Sequence, residues 1–466
     1  MRKAIRFFYI SIFFIICLIP SLFFFTGDTN NSQAENRVLG EMPKIIKDGK
    51  LNLKFPAEMD TYFSENFGFR TKMVNLDAQI NYSLLGQSSS PKVIVGKDDF
   101  LFYYETLNDY LGRDTLNDKS ISEIIKTLEL MDEYAASKGS KFYFTIAPNK
   151  NSIYPEYMPD KYIKGSTNNY RLLKDKINDT DLNFIDLKSF LLNLKKESPE
   201  PIYFKLDSHW NNLGAENVYK YLLWNIGLKT NLVDDPPYIK EKSFTGDIYK
   251  MLFPDGNEKD YDFIFNLQKN FSSKRPFQDQ DINITTNLKT GVIDLNPGKK
   301  LMIFRDSFFN SMVKFVSNDF SKVVYTREVP YPMENTYNDI VIFEIAERNI
   351  PLIIKNAPKM PAPIRENVDL TKYIKLDRKN IFFYNVQEDD YFHLYGCYIS
   401  KVKSSNEEVL LKYKDKIFEA FPILESNIKD DIVKKFGEEF INQGFSIRIP
   451  KDISVDLDDF DIYIKR

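Results

Sequence analysis

The sequence predicts an α/β fold: a largely parallel sheet covered by helices on both faces, with a membrane-spanning helix before it and a small β-sandwich after it. Three observations carry that expectation. Basic residues precede one long apolar run near the N-terminus, helix and strand patterns alternate from about residue 120, and beyond Arg365 short strand-like runs replace the alternation. At 466 residues the chain has room for two or three units of ~150 residues each.

The first element is the apolar run from Phe7 to Phe25, interrupted only by Ser11, Pro20 and Ser21 and preceded by Arg2, Lys3 and Arg6. As a helix it would be about 28 Å long, close to the thickness of a bilayer core. Basic residues ahead of a span stay in the cytoplasm, which places the remaining chain outside. Thr26-Gly27-Asp28 follows directly, with no small-x-small cleavage site, so residues 1–26 read as an uncleaved anchor rather than a removed signal peptide. The expected location is the cell membrane, single-pass, with the bulk of the chain extracytoplasmic.

Residues 27–92 read as a tether and a helical segment. Asp28 to Asn36 is polar and Asn-rich, and helical periodicity runs from about Ala57 to Leu85 with a break near Gly68. Val93 to Tyr103 then reads as strand, tight turn, strand, with Gly96 to Asp99 at the turn.

Residues 93–364 form the expected α/β domain. Ser120 and Glu123 read as a capping box, and Ile124, Ile125, Leu128, Met131 and Ala135 mark one helical face. Gly139 ends that helix before an apolar strand from Lys141 to Ala147. Further strands are expected at Phe184 to Asp186, Ile202 to Lys205, Lys300 to Phe304, Lys322 to Tyr325 and Ile340 to Phe343, with helices at Asn212 to Ile226 and Phe308 to Ser317. Such alternation implies a sheet buried on both faces. Residues 246–298 are polar and weakly periodic and read as either a lid or an insertion. Residues 365–466 carry short alternating runs, as at Ile381 to Tyr384 and Phe445 to Ile449, which suggests the sandwich.

Composition removes several function classes. A net charge of −3 argues against a nucleic-acid binder, which needs a basic face to displace counterions. The two cysteines, Cys17 and Cys397, allow no disulfide framework or cysteine-rich zinc site, and two histidines, His209 and His393, rule out a tris-histidine metal centre. No Walker loop, dinucleotide fingerprint or HExxH motif occurs, so no cofactor and no metal are expected.

Two constellations remain. Lys300 to Phe304 reads as a buried strand that stops at Arg305-Asp306-Ser307 and gives way to a helix. In an open α/β sheet ligands bind at the carboxyl ends of strands, where helix N-termini present free amides able to hold an oxyanion. The competing reading is that Asp306 or Ser307 merely caps the helix. The second constellation is Asp207-Ser208-His209-Trp210. A carboxylate two residues from an imidazole can fix its tautomer and leave the other ring nitrogen to take a proton from a serine, provided the backbone is extended. Trp210 would wall such a site or be ordinary core. His393, in Tyr391-Phe-His-Leu-Tyr395, reads as structural.

Asp207-Ser-His-Trp210 followed by Asn212 and Gly214 resembles the signature of the DHHW family and of the related alginate O-acetyltransferase AlgJ/AlgX group. Val93 to Tyr103, Pro148-Asn-Lys150 with Ile153-Tyr-Pro155, Arg305-Asp-Ser-Phe308 and Glu347-Arg348 match in the same order. The resemblance implies an SGNH hydrolase-like, flavodoxin-like domain in which Ser307 is the nucleophile, His209 the general base and acid, and Asp207 its orienting carboxylate. It further implies an extracytoplasmic O-acetyltransferase with a polysaccharide acceptor and a membrane-bound O-acyltransferase as the donor partner. An acetyl esterase with the same triad and a non-catalytic glycan-binding scaffold are the alternatives. Wider SGNH enzymes carry Gly-Asp-Ser where this chain has Arg305-Asp306-Ser307, so Arg305 is a candidate for binding substrate. For the oxyanion, the Ser307 amide, Asn149, Asn310 and Arg348 are candidates. The last domain resembles small β-sandwich modules of cell-surface glycan enzymes, with Tyr384, Tyr391 and Phe392 available to sugar faces.

Overall fold

A computed structural model describes residues 6–15, 42–47, 49–65, 70–232, 236–336, 339–398, 408–423, 444–453 and 459–465. Its centre is a seven-stranded sheet. Across it lie, in order, Phe184–Ile185, Lys141–Ala147, Ile340–Ala346, Lys300–Phe304, Lys322–Thr326, Asn283–Leu288 and Phe271–Ser273. The first five strands run parallel, and each of the last two pairs antiparallel with the strand before it, so the largely parallel sheet that was expected becomes mixed at this edge. The difference comes from the segment between 246 and 298. A link of only residues 274–282 joins Phe271–Ser273 to Asn283–Leu288. A parallel pairing needs a crossover of about a dozen residues or more, whereas an antiparallel one does not.

Side chains on the central strands alternate between two cores, as a period of two requires. Phe142, Phe144, Met302, Phe304, Val341 and Phe343 pack against helices Asp118–Ser137 and Asn169–Ile177. Tyr143, Leu301, Ile303, Val323, Tyr325 and Ile342 face the opposite way, onto helices Leu187–Glu197 and Asn212–Ile226. Burying each such side chain contributes roughly 1.5–3 kcal/mol. These strands therefore read as near-continuous apolar runs, because neither face meets water.

Several boundaries move for local reasons. The helix expected to begin at a Ser120 capping box begins one turn earlier, at Asp118, because Asn117 Oδ1 accepts the Ser120 N–H at 2.8 Å and so caps it. It closes before Gly139, whose φ of +74° lies in the left-handed region. Phe308 to Ser317 is not one α-helix but a 3-10 helix, Ser307–Met312, followed by a single α turn, Val313–Val316. Ile202 to Lys205 forms no strand, only an isolated bridge between Tyr203 and Trp210. Its backbone turns back on itself instead, with Phe204 N–H on His209 O and Asn211 N–H on Ile202 O.

The described residues between 373 and 465 form two four-stranded antiparallel sheets. Leu394, Val409, Leu411, Phe418, Phe445, Ile447 and Ile462 form the core of these sheets. This unit does not hang free. Phe421 and Ile423 belong to the core of the α/β domain, beside helix Asp118–Ser137. At the same junction Arg365 donates to both carboxylate oxygens of Glu133, at 2.5 and 2.7 Å, and to Glu419 at 2.5 Å.

At the other end, helices Phe55–Glu65 and Arg70–Leu85 flank the expected break at Gly68, which itself lies outside the described residues. Of the predicted anchor, residues 6–15 are helical, with Phe7, Phe13 and Phe14 exposed. The remainder of Phe7 to Phe25, Cys17 and the Asp28 to Asn36 tether lie outside the described residues. No helix among the described residues is long and apolar enough to cross a membrane.

Candidate active site

Three neighbouring strands end on one edge of the sheet, with Ala147 opposite Ala346 and Phe304 opposite Phe343. The turns that follow them carry Asn149, Ser307 and Arg348. The loop from Phe204 to His209 comes over this edge. Asp207 and His209 are thus brought together not by an extended strand but by a tight loop closed on itself. Asp207 Oδ1 accepts the His209 backbone N–H at 2.9 Å and lies 2.6 Å from Nδ1. A carboxylate can only accept, so Nδ1 carries the proton and Nε2 presents its lone pair. Nε2 stands 2.8 Å from Ser307 Oγ.

The turn at Ser307 is held from below. Asp306 Oδ1 accepts the Phe308 N–H at 2.8 Å, Asp306 Oδ2 accepts the Ala346 N–H at 2.6 Å, and the Asp306 N–H donates to Glu344 Oε2 at 2.9 Å. Asp306 is therefore the helix cap, which leaves the Ser307 hydroxyl free for His209. Ser307 opens the 3-10 helix, so its amide is among those with no intrahelical acceptor. Burial pushes the Glu344 pKa well up, and the Asp306 charge adds to the shift.

Electrostatics polarise the chain. Burial raises the Asp207 pKa, but the facing His209 charge and its hydrogen bonds outweigh it and hold the carboxyl well below its usual range. Burial works against the His209 imidazolium, yet Asp207 and then Asp247 overcome that and raise its pKa above 6.5, with Arg348 opposing. Asp247 was not singled out in the sequence. Its N–H donates to Asp207 Oδ2 at 2.7 Å, its carboxylate takes the Ser208 N–H and hydroxyl at 2.9 and 2.8 Å, and it lies 3.9 Å from His209 Nδ1. Burial, followed by the Asp207 charge, pushes its pKa up to about 6. Gly246 permits this approach, since a Cβ there would stand 2.1 Å from Leu206 O. The only sequence signal for Asp247 was Gly246-Asp247 ahead of apolar Ile248 and Leu252.

The remaining candidates divide. Trp210 is fully buried and donates its Nε1–H to Ser311 Oγ at 3.0 Å, while its ring meets Phe308 edge-on at 4.9 Å. It is both core and wall. Arg305 is 5% exposed and spends its guanidinium on Asn310 Oδ1 at 2.5 Å and Asp281 O at 2.7 Å. Asn310 lines the cavity with that oxygen already engaged. Arg348 lies over the rings of Phe308 and Tyr103, at 5.5 and 5.8 Å. Asn149 is 1% exposed, and neither its Oδ1 nor its Nδ2 has a partner among the described residues. A buried unsatisfied amide is costly; Arg305 leaves only its Nε without a partner among the described residues, whereas Asn149 leaves its whole amide.

A cavity of about 650 Å³ opens onto Asp207, His209 and Ser307, walled by Phe204, Phe244 and Phe277. Asp207, His209 and Asp247 also offer ligand atoms within 4.8 Å of one another, the kind of group that can hold a metal ion. Nδ1 and both Asp207 oxygens are committed to the hydrogen bonds above, which a cation would have to displace.

Residues 93–242 match the family of the SGNH hydrolase-like domain, acetyltransferase AlgX. The resemblance read from the Asp207-Ser-His-Trp210 motif is thereby borne out. The matched residues hold Asp207 and His209, and Ser307 joins them from beyond the match. Among relatives, a probable alginate O-acetylase AlgJ of Pseudomonas syringae pv. tomato is 24% identical over 259 residues, covering 54% of this chain and 61% of that protein. Another, of Pseudomonas fluorescens, is 25% identical over 245 residues, covering 51% and 56%. The chain thus spans about three fifths of the length of these curated relatives. A solved DHHW family protein from Eubacterium siraeum aligns with a TM-score of 0.40 and 15% identity, over 56% of this chain and 95% of its own.

Proposed function

We propose that this protein is an extracytoplasmic O-acetyltransferase that acetylates a polysaccharide through an acetyl-enzyme on Ser307. The observation that carries the reading is the single imidazole of His209, bonded at once to Asp207 and to Ser307 Oγ, facing the cavity. His209 Nε2 takes the Ser307 proton as Oγ attacks the acetyl carbonyl of a donor. The proton passes to the departing donor group as the carbonyl re-forms, leaving acetyl on Ser307. A sugar hydroxyl then gives its proton to Nε2 and attacks that ester, and Ser307 leaves with the proton returned. Asp207 balances the imidazolium in both halves. The Ser307 amide and Asn149 are the oxyanion donors of the proposal, and Arg348 adds positive charge nearby.

The AlgJ relatives support a polysaccharide acceptor. Outside the cytoplasm, acetyl-CoA is not directly available, so a membrane-bound O-acyltransferase is the proposed donor partner. Anchoring through Phe7 to Phe25 would keep the two together. The test is labelling of Ser307 by a fluorophosphonate, followed by a product assay with an acetyl ester donor, with and without polysaccharide. Labelling of wild type and not of Ser307→Ala, with acetyl found on the glycan, is the expected result. Release of free acetate alone would make the protein an esterase with the same triad, and no labelling at all would leave a glycan-binding scaffold.

A further inference from the structure

Lys150 is 4% exposed and makes no ion pair among the described residues, yet its ammonium is the centre of a built cage. Nζ donates to three backbone carbonyls of the loop that carries the imidazole: Phe204 O at 3.1 Å, Lys205 O at 2.9 Å and Asp207 O at 2.5 Å. An ammonium has three protons, and three acceptors converge on it. Its charge also lies over the rings of Phe100 and Phe102, at 5.9 and 5.3 Å, so the stem is fixed by the Val93 to Tyr103 hairpin. Lys150 stands at the start of the short helix Lys150–Ile153, directly after Asn149.

The loop needs this. Three carbonyls of the Phe204 to Asp207 segment converge on Lys150; Lys205 O also takes the Leu101 N–H at 2.9 Å, whereas Phe204 O and Asp207 O depend on the ammonium, and an unpaired buried carbonyl costs about 1–3 kcal/mol. The opposite side of the loop is held by Asp260 Oδ2 on the Leu206 N–H at 2.8 Å and by Asp247 on Ser208. Lys150 supplies the missing half of the clamp. Burial pushes its pKa down to about 8, with Asp207, Asp247 and Asp260 opposing the shift.

We infer that Lys150 is the positioning residue of the site: it organises the Phe204 to Asp207 carbonyls so that the Asp207 carboxylate meets His209 Nδ1 and the ring meets Ser307. This rests on the reading of Ser307 as the nucleophile, but its first test does not. In the free protein the Nδ1–H held by Asp207 at 2.6 Å should give a downfield imidazole proton signal. Lys150→Met keeps the length and apolar stem of the side chain and removes its three donors. The expected result is a folded protein in which that signal is lost or moved upfield. Ser307 labelling by a fluorophosphonate should slow about 100-fold, the scale of an ångström-sized misplacement, with the loss in kcat for a small acetyl ester and KM nearly unchanged. A role in stability alone would lower the melting temperature and leave the signal and the labelling rate per folded molecule untouched, which would overturn the inference. If Lys150→Met does not fold, Lys150→Gln, which can serve at most two carbonyls, is read in the same way. An unchanged signal and labelling rate in that variant would also overturn it. Should wild type show the signal but no labelling, the acyl-enzyme reading fails while the Lys150 inference still stands on the resonance.

Discussion

The molecule holds two serine–histidine–carboxylate chains, and only one of them has the surroundings of a reactive site. In the C-terminal unit, His393 Nδ1 lies 2.9 Å from Glu388 Oε1 and Nε2 lies 2.9 Å from Ser446 Oγ. By distance these match Asp207, His209 and Ser307. Their environments do not. Ser446 sits inside strand Gly444–Pro450, paired on one side with Tyr395 and on the other with Phe421, so its backbone belongs to the ladder. Arg448 takes Glu388 through Nε at 2.9 Å and Nη2 at 3.1 Å. Burial, then the Arg448 charge, pushes the His393 pKa down to about 4. At Ser307 the strand has ended, the helix amide is open, and the carboxylate partners lift the histidine. A triad is thus recognised by what its carboxylate is free to do and by where its serine backbone stands, not by two distances.

The largest test of this contrast is at the serines. Ser307→Ala should lower ester turnover by on the order of 10⁴–10⁶-fold with a nearly unchanged melting temperature. Ser446→Ala should leave turnover within about twofold and cost about 1 kcal/mol in denaturant unfolding, the worth of one buried hydrogen bond. Equal losses of activity in the two would break the comparison.

At the carboxylates, Asp207→Asn should cost about 10⁴-fold in kcat by favouring the wrong tautomer. Glu388→Gln should spare kcat and lower stability by roughly 1–3 kcal/mol, because Arg448 loses its charged partner.

The third test is in pH. Since the His209 pKa is raised, and only the neutral ring can accept the serine proton, activity should rise with pH through a value above 6.5. Asp247→Asn removes a carboxylate 3.9 Å from Nδ1, so the acid limb should move to lower pH. His393 should show no titration by NMR until near pH 4. An acid limb that shifts with His393→Gln and not with Asp247→Asn would reverse the assignment.

The smallest expected effect is at Gly246. Gly246→Ala must move the backbone away from Leu206 O, loosening the Asp247 N–H bond to Asp207, and should lower kcat about tenfold. Unchanged kinetics would show that the Asp247 amide is dispensable.

Much of the frame was legible because it is local. The strands Lys141–Ala147, Lys300–Phe304 and Ile340–Ala346 announce themselves as apolar runs, and helix Asn212–Ile226 has the bounds that its pattern gives. The Asp207, His209 and Ser307 positions were legible as motifs at turns. What could not be read was anything set by distant partners. Residues 202–205 have strand-like composition, but the Phe204 and Lys205 carbonyls go to Lys150, some 50 residues earlier in the chain. Phe271–Ser273 and Asn283–Leu288 become strands only because the sheet edge at Lys322–Thr326 is there to receive them. Asp247 and Arg305 likewise owe their settings to the fold, and Arg305, polar and beside the serine, is drawn off to Asn310 and Asp281.

Phe421 and Ile423 reach across into the core beneath helix Asp118–Ser137, and Arg365 ties that helix to Glu419. The two units should therefore melt together. A calorimetric scan should give one cooperative transition rather than two. A chain cut near Arg365 would not release an intact α/β domain; it would strip two apolar plugs from the remaining core. The sandwich behaves as a buttress, and any contribution it makes to gripping a glycan comes on top of that mechanical duty.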